Sequence, residues 1–303
     1  MNRGNVAIII LNYNGYQDTI ECLESLGRIS YQDFQVVLVD NASTDDSVAR
    51  LRQWLSENKN AAAKVHLVEN EKNYGYARGN NVGIKYALAN FGSEYTLILN
   101  NDTSVEPDFL QPLIEGLRER AVALAGPRII ESGVKYHWQG YLPSRINFLN
   151  YLAFLTPLRQ VFIKTPLSIE FNLERSESPR PAYSIPGCCM LFRSGALESV
   201  GLFDEKTFLG WEECIIAEKL FQAGYRTVVV PKSRIFHKVS RGFAKISLLT
   251  RKDSYQESER YFQLNYLKMP SYQRRLIGLI RSLSHFLTVL SAGSAEKKAG
   301  SIQ

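Results

Sequence analysis

The first third of the chain sets four short, nearly uninterrupted apolar runs, Val6 to Leu11, Phe34 to Val39, Lys64 to Val68 and Tyr95 to Leu99, between segments of helical pattern. A strand that is apolar on both alternating faces must be covered on both sides, as happens in a parallel sheet wrapped by crossover helices. Helix-start signals fall where that arrangement needs them. Asp18-Thr19 with Glu21 reads as a capping box, and Ser43-Thr44-Asp45-Asp46 offers several caps before a helix over Val48 to Leu55. The expected class is therefore α/β, with a mostly parallel central sheet flanked by helices. Ligands of such sheets bind beyond the carboxyl ends of the strands. This chain concentrates polar residues there: Asn12-Tyr13-Asn14-Gly15, Asp40-Asn41-Ala42-Ser43 and Asn100-Asn101-Asp102.

Further along, the pattern loosens between Gly133 and Pro186, where aromatic and basic residues mix with prolines; this reads as a mobile insertion facing an acceptor. Order returns with a strand over Gly187 to Arg193, a short helix over Ser194 to Val200, a helix over Glu212 to Ala223 and a strand over Arg226 to Val230. Beyond Gly242 the chain turns basic and amphipathic. The expected division is one α/β unit over 1–242, itself split into halves 1–105 and 106–242, followed by a helical tail over 243–303. In that tail Leu276, Ile280, Leu283, Leu287 and Leu290 recur at helical spacing, with Arg274, Arg281 and His285 on another face and Lys268 and Arg275 nearby. Such a helix over Tyr272 to Leu290 either rests on an anionic membrane surface or packs its leucines onto the globular core.

With 45% hydrophobic and 22% charged residues the chain has the composition of a folded globular protein, and its formal charge of +6 favours anionic partners. No nucleic-acid-binding motif accompanies that charge, so nucleic acid is not an expected partner. Cys22, Cys188, Cys189 and Cys214 lack C-x-x-C spacing and read as reduced thiols. The N-terminus lacks the ordered features of an export signal, and no run of about 20 apolar residues can span a bilayer. These features predict a cytoplasmic protein, peripheral on the inner face of the cell membrane if the tail docks there.

Asp40, at the end of an apolar run, can accept hydrogen bonds from a base or ribose, or can simply close its own turn. Asp102 places an oxygen where a hard divalent cation could bridge diphosphate oxygens, or likewise serves only a turn. Asn73-Tyr74-Gly75-Tyr76-Ala77-Arg78 is a glycine-containing approach to a helix whose amides, with Arg78, can meet phosphate or base. Trp211-Glu212-Glu213 brings two carboxylates into the start of a helix. Neighbours there diverge by about 100°, so one can serve as a base while the other caps or pairs, unless both are merely solvated acids. His237 lies between apolar and basic residues, where a structural role is the ordinary one.

Taken in order, Ile8 to Gly15, Val39 to Asp45, Asn73 to Ala77, Leu99 to Thr103, Gly187 to Arg193, Gly201 to Glu205, Glu212-Glu213, Ala223 to Tyr225 and His237 resemble family 2 glycosyltransferases, most of all a bacterial branch containing many rhamnosyltransferases. The resemblance implies a GT-A fold and transfer, with inversion, of a sugar from a nucleoside diphosphate donor, a dTDP- or UDP-sugar. The implied acceptor is a glycan or lipid-linked hydroxyl in surface polysaccharide or glycolipid assembly. It implies Glu213 as catalytic base, with Trp211 and Glu212 on the acceptor side. Asn12, Asp40, Asn73, Gly75, Arg78, Asn101 and Asp102 become donor-binding candidates, and Asp102 and His237 ligands of a divalent metal, Mg²⁺ or Mn²⁺. The chain departs from the family pattern in three places. Glu213 stands where aspartate is usual, Ile215 and Glu218 exchange an acid for an apolar residue and the reverse, and only Asp102 remains of the acidic metal motif.

Other readings are weaker. A dehydrogenase would carry G-x-G-x-x-G after a strand, which is missing here, and a nucleotidyltransferase would carry a glycine-rich basic first loop, which Asn12 to Tyr16 is not. A catalytically silent relative that binds nucleotide sugar and acts as an assembly partner stays open on the Glu213 departure.

Overall fold

The structure is a computed structural model describing residues 4–131, 141–155, 165, 177–238, 248–280 and 282. The four apolar runs form β1 (Val6–Asn12), β2 (Phe34–Asp40), β3 (Val65–Glu69) and β4 (Tyr95–Asn100). They pair in parallel in the order β3-β2-β1-β4, with Asn12 opposite Asp40 and Leu11 opposite Asn100, so their polar ends are level. β1, β2 and β4 are buried on both faces, which is why their sequences do not alternate. The crossovers are α1 (Tyr16–Leu26), α2 (Ser47–Glu57), the short α3 (Lys59–Ala62) and α4 (Gly75–Phe91). α4 lies unusually close to the sheet, because a Cβ on Gly83 would stand 2.5 Å from Ile9 Cγ2 and 2.9 Å from Val39 Cγ2.

Both cap expectations need correction. α1 begins at Tyr16 behind Gly15 with no side-chain cap, so Asp18 lies inside the first turn and caps nothing. The start is fixed instead by Thr19, whose backbone N–H and hydroxyl both donate to the Gly15 carbonyl, at 3.0 Å each. α2 begins at Ser47, and the Asp46 before it also makes no side-chain cap; Asp45 Oδ1 accepts from the Ser47 amide at 3.0 Å, while Ser43 is used elsewhere.

Past β4 come β5 (Thr103–Val105), α5 (Leu110–Gly116), β6 (Val122–Glu131), α6 (Phe148–Leu155), β7 (Arg180–Ala182), β8 (Cys189–Arg193), α7 (Ser194–Ser199), α8 (Glu212–Gln222) and β9 (Arg226–His237). β8 runs antiparallel between β4 and β6, and β9 runs parallel to β6 with β5 and β7 antiparallel to it. Six of the nine strands, β1, β2, β3, β4, β6 and β9, thus point the same way. The expected stop of β9 at Val230 is too early. Its pairing with β6 skips from Val230 to Arg234, so Pro231 and its two successors bulge out and the strand resumes to His237.

The stretch expected as a mobile insertion is ordered where it is described. Leu142 bridges Ser184, and Tyr141, Tyr151 and Tyr183 are buried, with Tyr151 and Tyr183 in a second hydrophobic cluster. The rest of that expectation lies outside the described residues. The tail supplies α9 (Leu248–Asn265) and a helix over residues 271–280, α10. Phe262, Met269 and Ile277 join the same cluster as Trp211, Cys214 and Ile215 of the α8 region, so the described tail packs onto the α/β unit.

Candidate active site at the carboxyl ends of the strands

The loops after β1 and β2 are stitched to each other. Asn14 and Ala42 adopt φ of 53° and 60°, and the Asn14 amide donates to Ser43 Oγ at 2.9 Å while its side-chain oxygen accepts from the Thr44 amide at 2.7 Å. Asp40 lies inside this stitch. Oδ1 accepts from Asn12 Nδ2 at 2.7 Å and Ser43 Oγ at 2.6 Å, and Oδ2 from the Ser43 amide at 2.9 Å. Asn12 is wholly buried, and its Oδ1 takes a bond from Thr19 Oγ1 at 2.9 Å. Both residues therefore shape the loops that border the site. Asn101 does similar work: its amide nitrogen lies 3.0 Å from Thr19 Oγ1 and 3.4 Å from the Gly15 carbonyl, where it accounts for the glycine, since a Cβ there would stand 2.7 Å from it.

Asn41, within the Asp40-Asn41-Ala42-Ser43 motif but not singled out by its residue type, is the hub of the second loop. Buried at the end of β2, it donates to Asn73 Oδ1 at 2.9 Å and the Gly75 carbonyl at 3.2 Å, and accepts from Asn70 Nδ2 and the Tyr74 amide. The Asn73–Arg78 segment is thereby fastened to the strand end. Gly75 has φ 77°, and a Cβ there would stand 2.3 Å from the Phe208 carbonyl, which accepts from the Tyr76 amide at 2.9 Å. Arg78 stacks 4.0 Å over Tyr74 and lies 3.8 Å from Glu205. Asn81 and Lys85 also bind Glu205, so α4 is fixed along the segment that leads into α8.

Asp102 and His237 come together because β9 continues past Pro231 and pairs His237 opposite Thr103 of β5. His237 Nε2 lies 3.1 Å from Asp102 Oδ1, yet that buried oxygen has no hydrogen-bond partner. A buried carboxylate oxygen left unsatisfied is costly unless something else meets it. Two ligand atoms this close but not oriented to bond each other fit a shared cation between them. No group of three or more His, Cys, Asp or Glu side chains gathers around a metal position among the described residues. A cation that keeps phosphate and water as most of its ligands, as Mg²⁺ and Mn²⁺ do, suits a two-residue seat.

The acid pair opens α8. Trp211 precedes it with φ 71°, a strained conformation for a bulky side chain, held by stacking on Tyr151 and Phe262 with centroids 5.8 and 5.5 Å away. Its Nε1 and the Oε1 of Glu212 are buried without partners. Burial, then the neighbouring Glu213 charge, push the Glu212 carboxyl up to about 8; burial raises Glu213 as well. Like charges this close resist joint ionisation, so the pair retains one proton near neutrality. Tyr76 Oη donates to the Gly187 carbonyl at 2.6 Å, and a Cβ on Gly187 would stand 3.4 Å from that hydroxyl and 4.0 Å from Glu213 Oε2. α4, the approach to β8 and Glu213 thus meet.

Glu218, the unusual acid one turn on, is fully buried and has its own counter-groups. Arg145 binds it through two nitrogens at 2.6 and 3.2 Å, Tyr183 Oη at 2.6 Å and Gln222 at 2.8 Å. Burial alone would raise its carboxyl; the bonds from Arg145, Tyr183 and Gln222 outweigh it and hold the pKa below the ordinary value. This acid anchors the 141–155 segment through Arg145.

An α/β sheet with a nucleotide-type loop set at its carboxyl edge and an acid pair opposite defines a GT-A glycosyltransferase fold. Solved structures share it at low identity. GalNAc-T7 with UDP, GalNAc and Mn²⁺ aligns at TM-score 0.64 and 17% identity over 87% of this chain and 48% of that one. The mannosyltransferase PcManGT from Pyrobaculum calidifontis with GDP-Man and Mn²⁺ aligns at 0.58 and 18% over 97% and 81%. Residues 7–201 match the family described as Glycosyl transferase family 2, and the chain belongs to that family. Its relatives include a low-salt glycan biosynthesis hexosyltransferase, Agl10, of Haloferax volcanii, 26% identical over 69% of this chain and 59% of that protein. Another is the N-acetylglucosaminyl-diphospho-decaprenol L-rhamnosyltransferase of Mycobacterium tuberculosis, 27% identical over 76% of this chain and 75% of that one.

Proposed function

We propose that this chain transfers a sugar from a dTDP- or UDP-sugar, with inversion, to a hydroxyl of a glycan or lipid-linked acceptor in cell-envelope polysaccharide or glycolipid assembly. The observation that carries the reading is the unsatisfied Asp102 oxygen beside His237 Nε2, a seat for a divalent cation at the strand edge where the donor loops converge. Mg²⁺ or Mn²⁺ bound there supplies charge neutralisation for a diphosphate leaving group. The Asn73–Arg78 loop, fastened by Asn41, borders the nucleotide, to which Arg78 offers a cation; Asn12, Asp40 and Asn101 keep the loops in shape on the donor side. Glu212, pushed up to about 8, holds the pair's proton and leaves Glu213 as the carboxylate. Glu213 takes the proton of the acceptor hydroxyl as its oxygen bonds the anomeric carbon; the bond to the diphosphate breaks, and the electron pair leaves with it. A raised pKa improves a carboxylate as a base for an alcohol. The name of the mycobacterial relative, which specifies a lipid-linked acceptor and rhamnose, supports the acceptor class, and the Mn²⁺ complexes of the solved neighbours support the metal.

The test is a panel of nucleotide sugars with Mg²⁺ or Mn²⁺, read as nucleoside diphosphate release with and without acceptor. Turnover is expected, with most of the metal-dependent part lost in Asp102→Ala and a smaller loss of metal affinity in His237→Ala. Binding of nucleotide sugar without any release would favour the silent assembly partner, and an unchanged Mn²⁺ dependence in Asp102→Ala would remove the metal seat.

A further inference from the structure

Lys238 follows His237 directly and is the point at which β9 ends. Its backbone N–H donates to the Asp102 carbonyl at 3.1 Å, and its ammonium turns to α1, donating to Asp18 Oδ1 at 3.1 Å and to Glu21 Oε2. One residue thus joins the end of β9, the turn that carries Asp102 and the first two turns of α1. Asp18 and Glu21 are the residues whose spacing mimics a capping box; both face this lysine instead. Asp18 is buried, so water and salt screen the pair less than they would a surface ion pair. Burial works against the ammonium, but Glu21 and Asp18 outweigh it and keep it charged. The same helix reaches the other side of Asp102 as well, since Thr19 holds the Asn101 amide at 3.0 Å.

We propose that Lys238, with Asp18 and Glu21, is a positioning residue that holds His237 against Asp102 and so sets the affinity of the divalent-cation seat; the inference rests on the metal reading above. A seat with two protein ligands has little redundancy, and its histidine is the last residue of its strand. The strand pairing of His237 with Thr103 and Glu131 holds its backbone; without the clamp the residue that follows it is tied to the Asp102 turn by a backbone bond alone, and the imidazole loses part of the support for its position against Asp102. Partners that hold a ligand in place are worth about 10- to 100-fold in metal affinity.

The experiment uses the full chain and reads Mn²⁺ binding directly, by the EPR signal of free Mn²⁺ during titration, without nucleotide and with UDP. Lys238→Met keeps the stem and loses the charge, Asp18→Asn removes one partner, and Lys238→Arg restores the cation. We expect about tenfold or weaker Mn²⁺ binding in the first two and recovery in the third, with melting in EDTA showing that each variant is folded. Wild-type Mn²⁺ affinity in a folded Lys238→Met or Asp18→Asn overturns the clamp and leaves the bridge as ordinary stabilisation. A wild type that binds no Mn²⁺ in either condition overturns the metal seat itself, and the clamp with it.

Discussion

Glu212 and Glu213 show how two chemically identical neighbours are given different work by their surroundings. Glu212 is 5% exposed and Glu213 half-buried, and the charge of the second acid helps to keep the first protonated. Glu213→Gln keeps the size but cannot accept a proton, so transfer should fall by about 100-fold or more while nucleotide binding, followed by calorimetry, stays close to wild type. A larger loss in Glu212→Gln would shift the assignment by one residue. The same pair makes a stability prediction with a definite sign. A carboxyl whose folded pKa is raised binds its proton more tightly when folded, so stability is full at low pH and is lost as pH rises from the ordinary glutamate range towards about 8. Glu212→Gln removes that loss. Thermal melts should therefore show the variant gaining on wild type between pH 5 and pH 8.5, and parallel curves would place Glu212 in a more solvated setting.

At the scale of elements, the site is assembled by contacts between segments far apart in sequence. α4 presses the Asn73–Arg78 segment onto the Phe208 carbonyl, Lys219 of α8 donates to the Leu202 carbonyl, and Tyr261 of α9 and Tyr266 just past its end fix the same connecting segment, both donating to Asp204. Glu218 holds the 141–155 segment against α8. Removing Arg145 leaves a buried carboxylate with only Tyr183 and Gln222, and a fully buried pair broken in this way costs about 3–5 kcal/mol. Arg145 is half exposed, so solvent screens part of its contribution, and Arg145→Ala should cost about 1–3 kcal/mol in urea unfolding at pH 7. Because the folded pKa of Glu218 is lowered, its contribution is present above the ordinary glutamate range and fades as pH falls through the lowered value. The difference between variant and wild type should accordingly shrink in acid; a constant difference would trace the loss to the Arg145 guanidinium over the Phe221 ring.

For the molecule as a whole, the tail has two faces. Ile277 and Met269 are in the second cluster, while Tyr272 and Leu279 are each 67% exposed and Leu276 42%. The apolar seam read from the sequence thus begins on an outward face at Leu276, whereas the buried contact falls on Ile277, one residue on; Leu283, Leu287, Leu290, Arg281 and His285 lie outside the described residues. Among the described residues no helix is long and apolar enough to cross a membrane. An outward apolar face beside Arg275 and Lys268 supports interfacial docking, where each basic residue near an anionic surface contributes about 1 kcal/mol. Full-length protein should co-sediment with anionic vesicles in low salt and less in high salt, and the double variant Leu276→Ser with Leu279→Ser, which leaves the buried Met269 and Ile277 in place, should stay folded but lose the interaction. Failure of the full-length protein to sediment would assign the exposed face to a protein contact.

Much of this arrangement was legible in the residue order, because it depends on local rules. Runs apolar on both faces admit only strands covered on both sides, so β1 to β4 and the polar edge beyond them follow from the sequence, as does the family membership carried by motifs in fixed order. What needed the tertiary structure is everything set by partners distant in sequence. A carboxylate looks the same whether it caps a helix, closes a turn, holds a lysine or waits for a cation. Asp18 holds Lys238, 220 positions away, where spacing suggested a cap, and Asp40 is engaged by Asn12 and Ser43. β6 was not legible in its Ala- and Gly-containing run, and β9 was cut short at a proline that a bulge accommodates. That bulge carries His237 to Asp102 and makes a possible ligand pair out of two residues that local sequence reads as a turn and a surface histidine. Local propensity acts over a few residues, whereas burial and charge pairing are settled by whatever the folded chain places within a few ångströms.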